Sequence, residues 1–130
     1  MLALAVAGTV AELVLLEHYE DWQQWIPLVV LGGAGLVLAW HTHRESVASR
    51  RALRLVMAGL VLAGLAGVVL HVRGNLEFER EISPDASGFT LWFEVLRGAT
   101  PALAPGALVP FGLLGLLYSR SRPSPVAEDS

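Results

Sequence analysis

The chain alternates between long apolar blocks and short polar connections. The apolar blocks cover residues 1–16, 26–40, 53–72 and 102–118. A helix needs about 20 apolar residues to cross the hydrocarbon core of a bilayer, with a range near 17 to 25. The third block meets this length, and the other blocks reach it when their flanks are added. The pattern predicts an all-α integral membrane protein, a bundle of four transmembrane helices at about 1–18, 26–41, 53–73 and 101–119.

Composition agrees with a membrane protein, because 54% of the 130 residues are hydrophobic, against roughly 45 to 50% in soluble domains. A chain of this length forms one domain at most, so residues 1–119 are predicted to be one membrane domain and 120–130 a disordered cytoplasmic tail. No Lys or Arg precedes Arg44, so the first block lacks the basic start of a signal peptide and is expected to be retained. The lack of cysteine excludes disulfides and thiolate metal ligands.

Arginine sets the predicted orientation. Residues 41–54 carry four arginines against Glu45, whereas residues 17–25 and 71–100 are rich in acids. Short basic loops stay in the cytoplasm, so we expect both termini there, in a bacterial-type inner membrane. There is no basic stripe elsewhere, and nucleic acid is not an expected partner. Aromatic residues at the block ends and in the outer segment are expected to anchor the protein at the membrane interfaces: Trp22, Trp25, Trp40, Phe89, Trp92, Phe93 and Tyr118.

The outer segment contains an amphipathic pattern. Phe89, Trp92, Phe93 and Leu96 recur at helical spacing. This predicts a short helix at about 87–97, started by Asp85 or Ser87 and ended by Gly98. Its aromatic face is expected either in the lipid headgroup region or packed across the mouth of the bundle.

Small residues and prolines indicate how the helices pack. Small side chains let membrane helices approach closely, which favours association within the chain or between copies. Pro105 and Pro110 are predicted to kink the fourth helix. The small residues expected in helix contacts are Gly8, Gly32, Gly33, Gly35, Gly59, Ala63 and Gly67.

One acid lies inside the first apolar block. Glu12 is about 15 Å below Trp22 by helical rise, near the bilayer midplane. An acid there costs about 2.5 to 3.5 kcal/mol, so we expect it to face the protein interior. Its predicted helix face also carries Ala5, Gly8, Thr9 and Tyr19. Glu12, Thr9 and Tyr19 are therefore candidates for an ion or proton relay, with a hydrogen bond between helices as the structural alternative.

Polar residues also collect near the predicted outer surface, namely Glu17, His18, Asp21, His71 and Asn75. Imidazoles and carboxylates can hold Zn²⁺, Mn²⁺ or Fe²⁺, and His18 and His71 can ligate a b-type haem. The spacing matches no H-E-x-x-H motif. Solvated helix flanks are the alternative interpretation of these residues. His41 and His43, beside Arg44 at the end of the second block, are expected to be surface residues that flank the helix at the membrane interface.

Three functions fit the pattern, in decreasing order of preference. The first is an accessory or assembly subunit, with the lipid bilayer and other membrane subunits or further copies as partners. The second is cation or proton transport through Glu12, supplied by the outer acidic and histidine cluster. The third is a metal or haem protein using His18 and His71. No catalytic triad order or phosphate loop is present, so no catalytic residue is predicted and a non-enzymatic function is expected.

Overall fold

The structure is a computed structural model, and it describes residues 1–15, 22–98 and 104–121. Within these residues there are five α-helices, and 3₁₀ turns at Trp22–Gln24 and Ala104–Ala107 precede the second and the fifth. The all-α prediction is confirmed. The helices are α1 (Leu2–Leu15), α2 (Trp25–His43), α3 (Val47–Ile82), α4 (Gly88–Arg97) and α5 (Leu108–Ser121).

Two of these helices, α2 and α3, are long and apolar enough to cross a membrane, with 19 and 36 residues. This favours a membrane location. The prediction of four spans is wrong, because α1 and α5 have 14 residues each. At 1.5 Å per residue such a helix is about 21 Å long, short of a hydrocarbon core of roughly 30 Å. Residues 16–18 and 101–103, which the predicted first and fourth spans included, lie outside the described residues.

Helix α3 is longer at both ends than the predicted 53–73. It begins at Val47 because Ser46 and Ser49 cap its first turn with reciprocal hydrogen bonds of 3.0 Å. It continues past Gly74, since one glycine costs only about 1 kcal/mol relative to alanine. It ends at Ile82, two residues before Pro84, because a proline disfavours helical backbone in the residue before it, here Ser83. The apolar block therefore marked only the middle of the helix.

The prolines of the last segment lie at the start of a helix. Pro105 is in the 3₁₀ turn, and Pro110 is the third residue of α5. The first backbone N–H groups of a helix have no partner within it, so proline removes no helical hydrogen bond there. The prediction of a helix kinked at internal prolines is wrong for this reason. At its other end α5 extends to Ser121, within the segment predicted as tail, and residues 122–130 lie outside the described chain.

The described residues form two compact units, divided within α3 between Ala63 and Gly64. The first unit contains residues 1–63 and 108–121, and the second contains 64–98 with 104–107. The first unit packs α1, α2, α5 and the start of α3 around one apolar core. Its buried members are Val6, Leu31, Ala34, Leu38, Leu53, Met57, Leu60 and Leu108.

Helix α1 contributes large aliphatic side chains to this core. Val6 is buried, and Val10 and Leu13 pack beside it at helical spacing. The face predicted to pack lies elsewhere on the helix, since Gly8 and Glu12 are exposed. At 3.6 residues per turn Glu12 points about 120° away from Val6. The prediction that Glu12 faces the interior of the chain is therefore wrong, because the branched side chains fill the core better than the small face does.

Helix α5 contributes glycines instead. Gly112 and Gly115 are both buried. A Cβ on Gly112 would lie 2.5 Å from the carbonyl oxygen of Met57 and 2.6 Å from Cγ2 of Val61, and a Cβ on Gly115 would collide with Sδ of Met57. Real Cβ atoms essentially never come this close to a neighbour. Helices α3 and α5 therefore touch backbone to backbone, and only glycine permits the contact at position 112.

The second unit places α4 against the C-terminal half of α3. Val95 is fully buried, whereas the aromatic face of α4 points outward, with Phe89 84% exposed and Phe93 49% exposed. The rings of Phe89 and Phe93 stack at 6.2 Å. The start is at Gly88, where φ is +62°, a value that favours glycine. The amphipathic helix thus uses Val95 to pack on its own chain and leaves its aromatic residues uncovered in the described structure.

Candidate functional site

A buried polar cluster joins α2, α3 and α5 in the first unit. His41, near the end of α2, is 1% exposed, and Ser49, in the first turn of α3, is fully buried. Nδ1 of His41 lies 2.9 Å from Oγ of Ser49. The expectation that His41 is a surface residue flanking the helix is wrong, because its ring is buried against the start of α3. His43, two residues on, is exposed.

The cap of α3 holds Ser49 in place. The backbone N–H of Ser49 donates to Oγ of Ser46, and the backbone N–H of Ser46 donates to Oγ of Ser49. The hydroxyl of Ser49 also lies 2.9 Å from the carbonyl oxygen of Arg44 and can donate to it. A hydroxyl has one hydrogen, so when it points to Arg44, His41 must carry its proton on Nδ1 and donate to Ser49. Two helix ends are joined through one serine.

Helix α5 closes the cluster from a third side. The ring of Tyr118 meets His41 edge to face, with centroids 6.1 Å apart and planes at 89°. Ser119 is 1% exposed and accepts from Nε of Arg54 at 3.2 Å, while its own hydroxyl donates to the carbonyl oxygen of Leu116 at 2.7 Å. Arg54 also donates to the backbone carbonyl of Ser119, at 3.4 Å. A cation at a helix C-terminus stabilises the helix dipole.

The chemistry of this cluster is structural. A serine within hydrogen-bond reach of a histidine is the first requirement of a nucleophile and its base. Here the serine oxygen is fully buried and bonded to backbone groups of the α3 cap. No substrate atom can approach it in this arrangement. The cluster therefore fixes the ends of three helices and does not form a nucleophilic site.

The second unit has its own buried polar contact. Asn75 is 4% exposed and donates from Nδ2 to the carbonyl oxygen of Val95 at 2.9 Å. The amide packs so closely on Gly98 that a Cβ there would lie 2.6 Å from Cγ of Asn75. Gly98 also ends α4, with its N–H bonded to the carbonyl of Glu94 at 2.7 Å. Asn75 therefore fixes the end of α4.

The structure describes two of the five predicted metal or haem ligands. Glu17, His18 and Asp21 lie outside the described residues. His71 is half-buried on α3, and Asn75 lies one turn further on in the contact with α4. Within 1–15, 22–98 and 104–121, no three His, Asp or Glu side chains come close enough to hold a metal ion.

The predicted relay residues do not come together in the described part of the chain. Glu12 is exposed on α1. Thr9 donates to the carbonyl oxygen of Ala5 in its own helix, at 3.0 Å. Tyr19 lies outside the described residues. A relay through Glu12 stays a prediction without a described partner for the carboxyl group.

The predicted packing residues behave in two ways. Gly33 and Gly35 make ordinary contacts, since a Cβ on either would lie 3.8 Å from a valine, Val56 and Val6 respectively. Gly67 makes a closer contact, since a Cβ there would lie only 2.6 Å from Pro105. Ala63 packs against the core. The remaining three, Gly8, Gly32 and Gly59, have no atom within 4 Å of an added Cβ. They make no close helix contact within the described chain.

Six of the seven predicted interface anchors are exposed: Trp22, Trp25, Trp40, Phe89, Trp92 and Phe93. Tyr118 differs, since it is half-buried beside His41. Its ring covers the buried imidazole, which explains why it does not point outward.

Sequence reasoning missed the residues that hold the first unit together, namely His41, Ser49, Gly112, Gly115 and Ser119. Two short patterns could have indicated them. Ser46 and Ser49 have the spacing of a capping box at the start of an apolar run, and Gly112 and Gly115 have the spacing of neighbours on one helix face. No signal in the sequence pairs His41 with Ser49. The chain shows no significant match to any protein-family model, curated protein or solved structure.

Proposed function

We propose that this chain is a subunit of an inner-membrane complex, inserted through α2 and α3, whose α1 helix docks on another membrane protein. The exposure of the two candidate spans supports insertion. In the most apolar stretch of each helix, only 22% of the residues of α2 and 17% of those of α3 are buried, whereas the core helix of a soluble protein is mostly buried. Leu36 on α2 is 76% exposed and Leu55 on α3 75%. Apolar surface of this extent is stable in lipid or against another protein.

The connection between α2 and α3 supports one orientation. Arg44 lies in this connection, and Arg50, Arg51 and Arg54 follow in the first turns of α3. Positively charged connections stay in the cytoplasm. Met1 and Thr42 line one groove, so α1 begins beside the cytoplasmic end of α2. The bonds from Arg54 to Ser119 bring the end of α5 to the same side. In the proposed orientation, both the start of α1 and the end of α5 lie near the cytoplasm.

Glu12 is the observation that carries the docking proposal. It is exposed on a helix whose other side packs in the apolar core. By helical rise it lies about 16 Å from Met1, near the middle of a bilayer in the proposed orientation. A carboxyl group facing lipid there costs about 2.5 to 3.5 kcal/mol. A hydrogen-bond donor on a neighbouring subunit would remove this cost, so the face around Glu12 is the proposed docking surface.

The test replaces Glu12 in the full chain and compares the complexes extracted from the native membrane with a mild detergent. Glu12→Gln keeps a hydrogen-bonding side chain and should retain the complex, whereas Glu12→Leu should lose it. Glu81→Leu, an exposed acid at the end of α3, is the control and should change nothing. Size-exclusion chromatography and mass spectrometry identify the chains in each complex. A complex that survives Glu12→Leu, or a wild-type chain that runs as a monomer, would refute docking at this face.

The same variants separate a subunit from a proton or cation relay. A relay needs a titratable carboxyl, so Glu12→Gln would abolish transport across vesicle membranes while leaving the complex intact. A docking role predicts that Glu12→Gln leaves both unchanged. If the partner identified is a second copy of this chain, the complex is a homo-oligomer with Glu12 at its interface.

A further inference from the structure

An open apolar groove runs along the first unit at the end where α2 meets the arginine-rich connection. It has a volume of about 760 Å³ and is walled by the start of α1, the last two turns of α2 and one face of α5. Gly35, Leu38, Ala39 and Thr42 form the α2 wall, at the spacing of one helix face. From Gly35 to Thr42 the groove follows the helix for about 10 Å.

The lining and position of the groove restrict its occupant. Phe111, Leu114 and Tyr118 of α5 face Ala39 and Leu38 across it, and most of its surface is apolar. In the proposed orientation the groove starts at the cytoplasmic interface, at Thr42, and extends into the inner leaflet. A volume of this order is typical of sites that enclose a small molecule. A hydrocarbon chain entering from the membrane satisfies both the shape and the polarity.

Charge at the mouth of the groove selects the headgroup. Thr42 is followed directly by His43 and Arg44, which are both exposed. Arg51, Arg54 and Arg120 are exposed in the same unit, whose described part has two exposed acids, Glu45 beside Arg44 and Glu12 further along α1. Basic pockets between membrane helices on the cytoplasmic side bind acidic phospholipid headgroups. The excess of positive charge favours a headgroup with a net negative charge over a zwitterionic one, in which a cation already balances the phosphate.

We infer that this groove binds one acyl chain of an anionic phospholipid, with the lipid phosphate beside Thr42 and Arg44. This inference rests on the proposed membrane insertion and orientation, and it adds a ligand at the start of α1, where Ala5 lies about 10 Å along the helix from Glu12. The lipid would fill the space between α1, α2 and α5, and α1 would be held against the bundle through it as well as through Val6.

The test incorporates the full chain into bilayers with equal amounts of phosphatidylglycerol and phosphatidylcholine. Native mass spectrometry after mild extraction counts the lipids that remain bound. The wild-type chain should retain phosphatidylglycerol in preference to phosphatidylcholine. Ala39→Trp fills the groove and should remove the bound lipid, while Ala7→Trp, on an exposed part of α1 outside the groove, should not. Circular dichroism checks that both variants keep their helices.

A second pair of variants tests the headgroup without changing the groove. Arg44→Gln should reduce the preference for phosphatidylglycerol about fivefold, the factor that corresponds to one basic residue near an anionic surface. Arg80→Gln, an exposed arginine near the other end of α3, should leave it unchanged. These substitutions are at exposed positions, so they keep the test valid if Ala39→Trp does not fold.

Each remaining outcome counts against the inference. Equal retention by wild type and by Ala39→Trp, or no preference between the two lipids, would overturn it. A change from dimer to monomer in Ala39→Trp would show that a second chain, and not a lipid, occupies the groove. Fractionation of the membranes is measured in parallel: a chain that is absent from the membrane refutes the proposed function as well, whereas a membrane-embedded chain without bound phosphatidylglycerol refutes the lipid site alone.

Discussion

Helices α1 and α5 have the same length and lie in the same unit, but they use small residues in opposite ways. On α1 the large side chains Val6 and Val10 face the core, while Gly8 has no neighbour within 4 Å of an added Cβ. On α5 the buried face contains Gly112 and Gly115 between Leu108 and Ser119, and large side chains such as Leu113 and Leu117 are exposed.

The opposite arrangements have a physical cause in what each helix meets. Helix α1 packs on α2 and α5 across a space that Val6 and the side chains beside it fill. Helix α5 meets α3 at Met57 and Val61 so closely that there is no space for a Cβ at position 112. In lipid, close packing is what drives helices together, and either solution supplies it. A stripe of small residues therefore does not by itself identify the packed face of an apolar helix.

The largest effect is expected when a methyl group is added to the α5 contact. Gly112→Ala places a Cβ against the backbone oxygen of Met57, which cannot move without shifting α3. We expect a loss of about 2 kcal/mol in the free energy of unfolding, within the range for overpacked sites. The measurement is thermal or denaturant unfolding in detergent micelles, followed by circular dichroism.

Gly8→Ala on α1 is the matched control for this substitution. Its added methyl group meets no atom within 4 Å, and alanine is the better helix former by up to about 1 kcal/mol. The variant should be as stable as the wild-type chain or slightly more stable. Equal effects of the two substitutions would mean that α5 does not touch α3 at Gly112, and the contrast between the helices would disappear.

A smaller effect is expected from removing a core side chain of α1. Val6→Ala leaves an unfilled space beside Gly35, whose added Cβ would lie 3.8 Å from Cγ1 of Val6. Since lipid is as apolar as valine, the loss is mainly of packing contacts, about 1 kcal/mol. Val14→Ala removes the same atoms from a side chain that is 49% exposed, and should change stability by less than about 0.5 kcal/mol. A larger loss for Val14→Ala would place the core face of α1 on the other side.

The positions of the helices along the sequence were easier to predict than the face that each helix buries. Apolar blocks gave the all-α class and the approximate position of α2, because hydropathy reports which residues avoid water. The period of Phe89, Trp92 and Phe93 gave a helix at about 87–97, where α4 is found at Gly88–Arg97. Hydropathy does not show which face of an apolar helix meets its own chain and which meets lipid or another protein. The prediction placed Glu12 on the face toward its own chain, whereas the structure exposes it.

The candidate site was not predictable for a related reason. His41 and Ser49 are eight residues apart on different helices, and their contact depends on how tightly the connection between α2 and α3 turns. The cap that makes this turn tight is local and could be recognised from Ser46 and Ser49. The closure by Tyr118 is not local, since it requires α5 to return to the same end of the unit.

An effect as small as that of Val6→Ala is expected when two hydroxyl groups that bond to their own helices are compared. Ser119 of α5 is buried, donates to the carbonyl of Leu116 and accepts from Arg54 on α3, whereas Thr9 of α1 is half-buried and donates to the carbonyl of Ala5 in its own helix. Ser119→Ala should cost about 1 kcal/mol, the typical net value of one intramolecular hydrogen bond, because it breaks a link between helices. Thr9→Ala should be neutral within about 0.5 kcal/mol, since it breaks a bond within one helix and alanine favours the helical state. If both substitutions have the same effect, the hydroxyl of Ser119 does not link α5 to α3, and the inward face of α5 is held by its glycines alone.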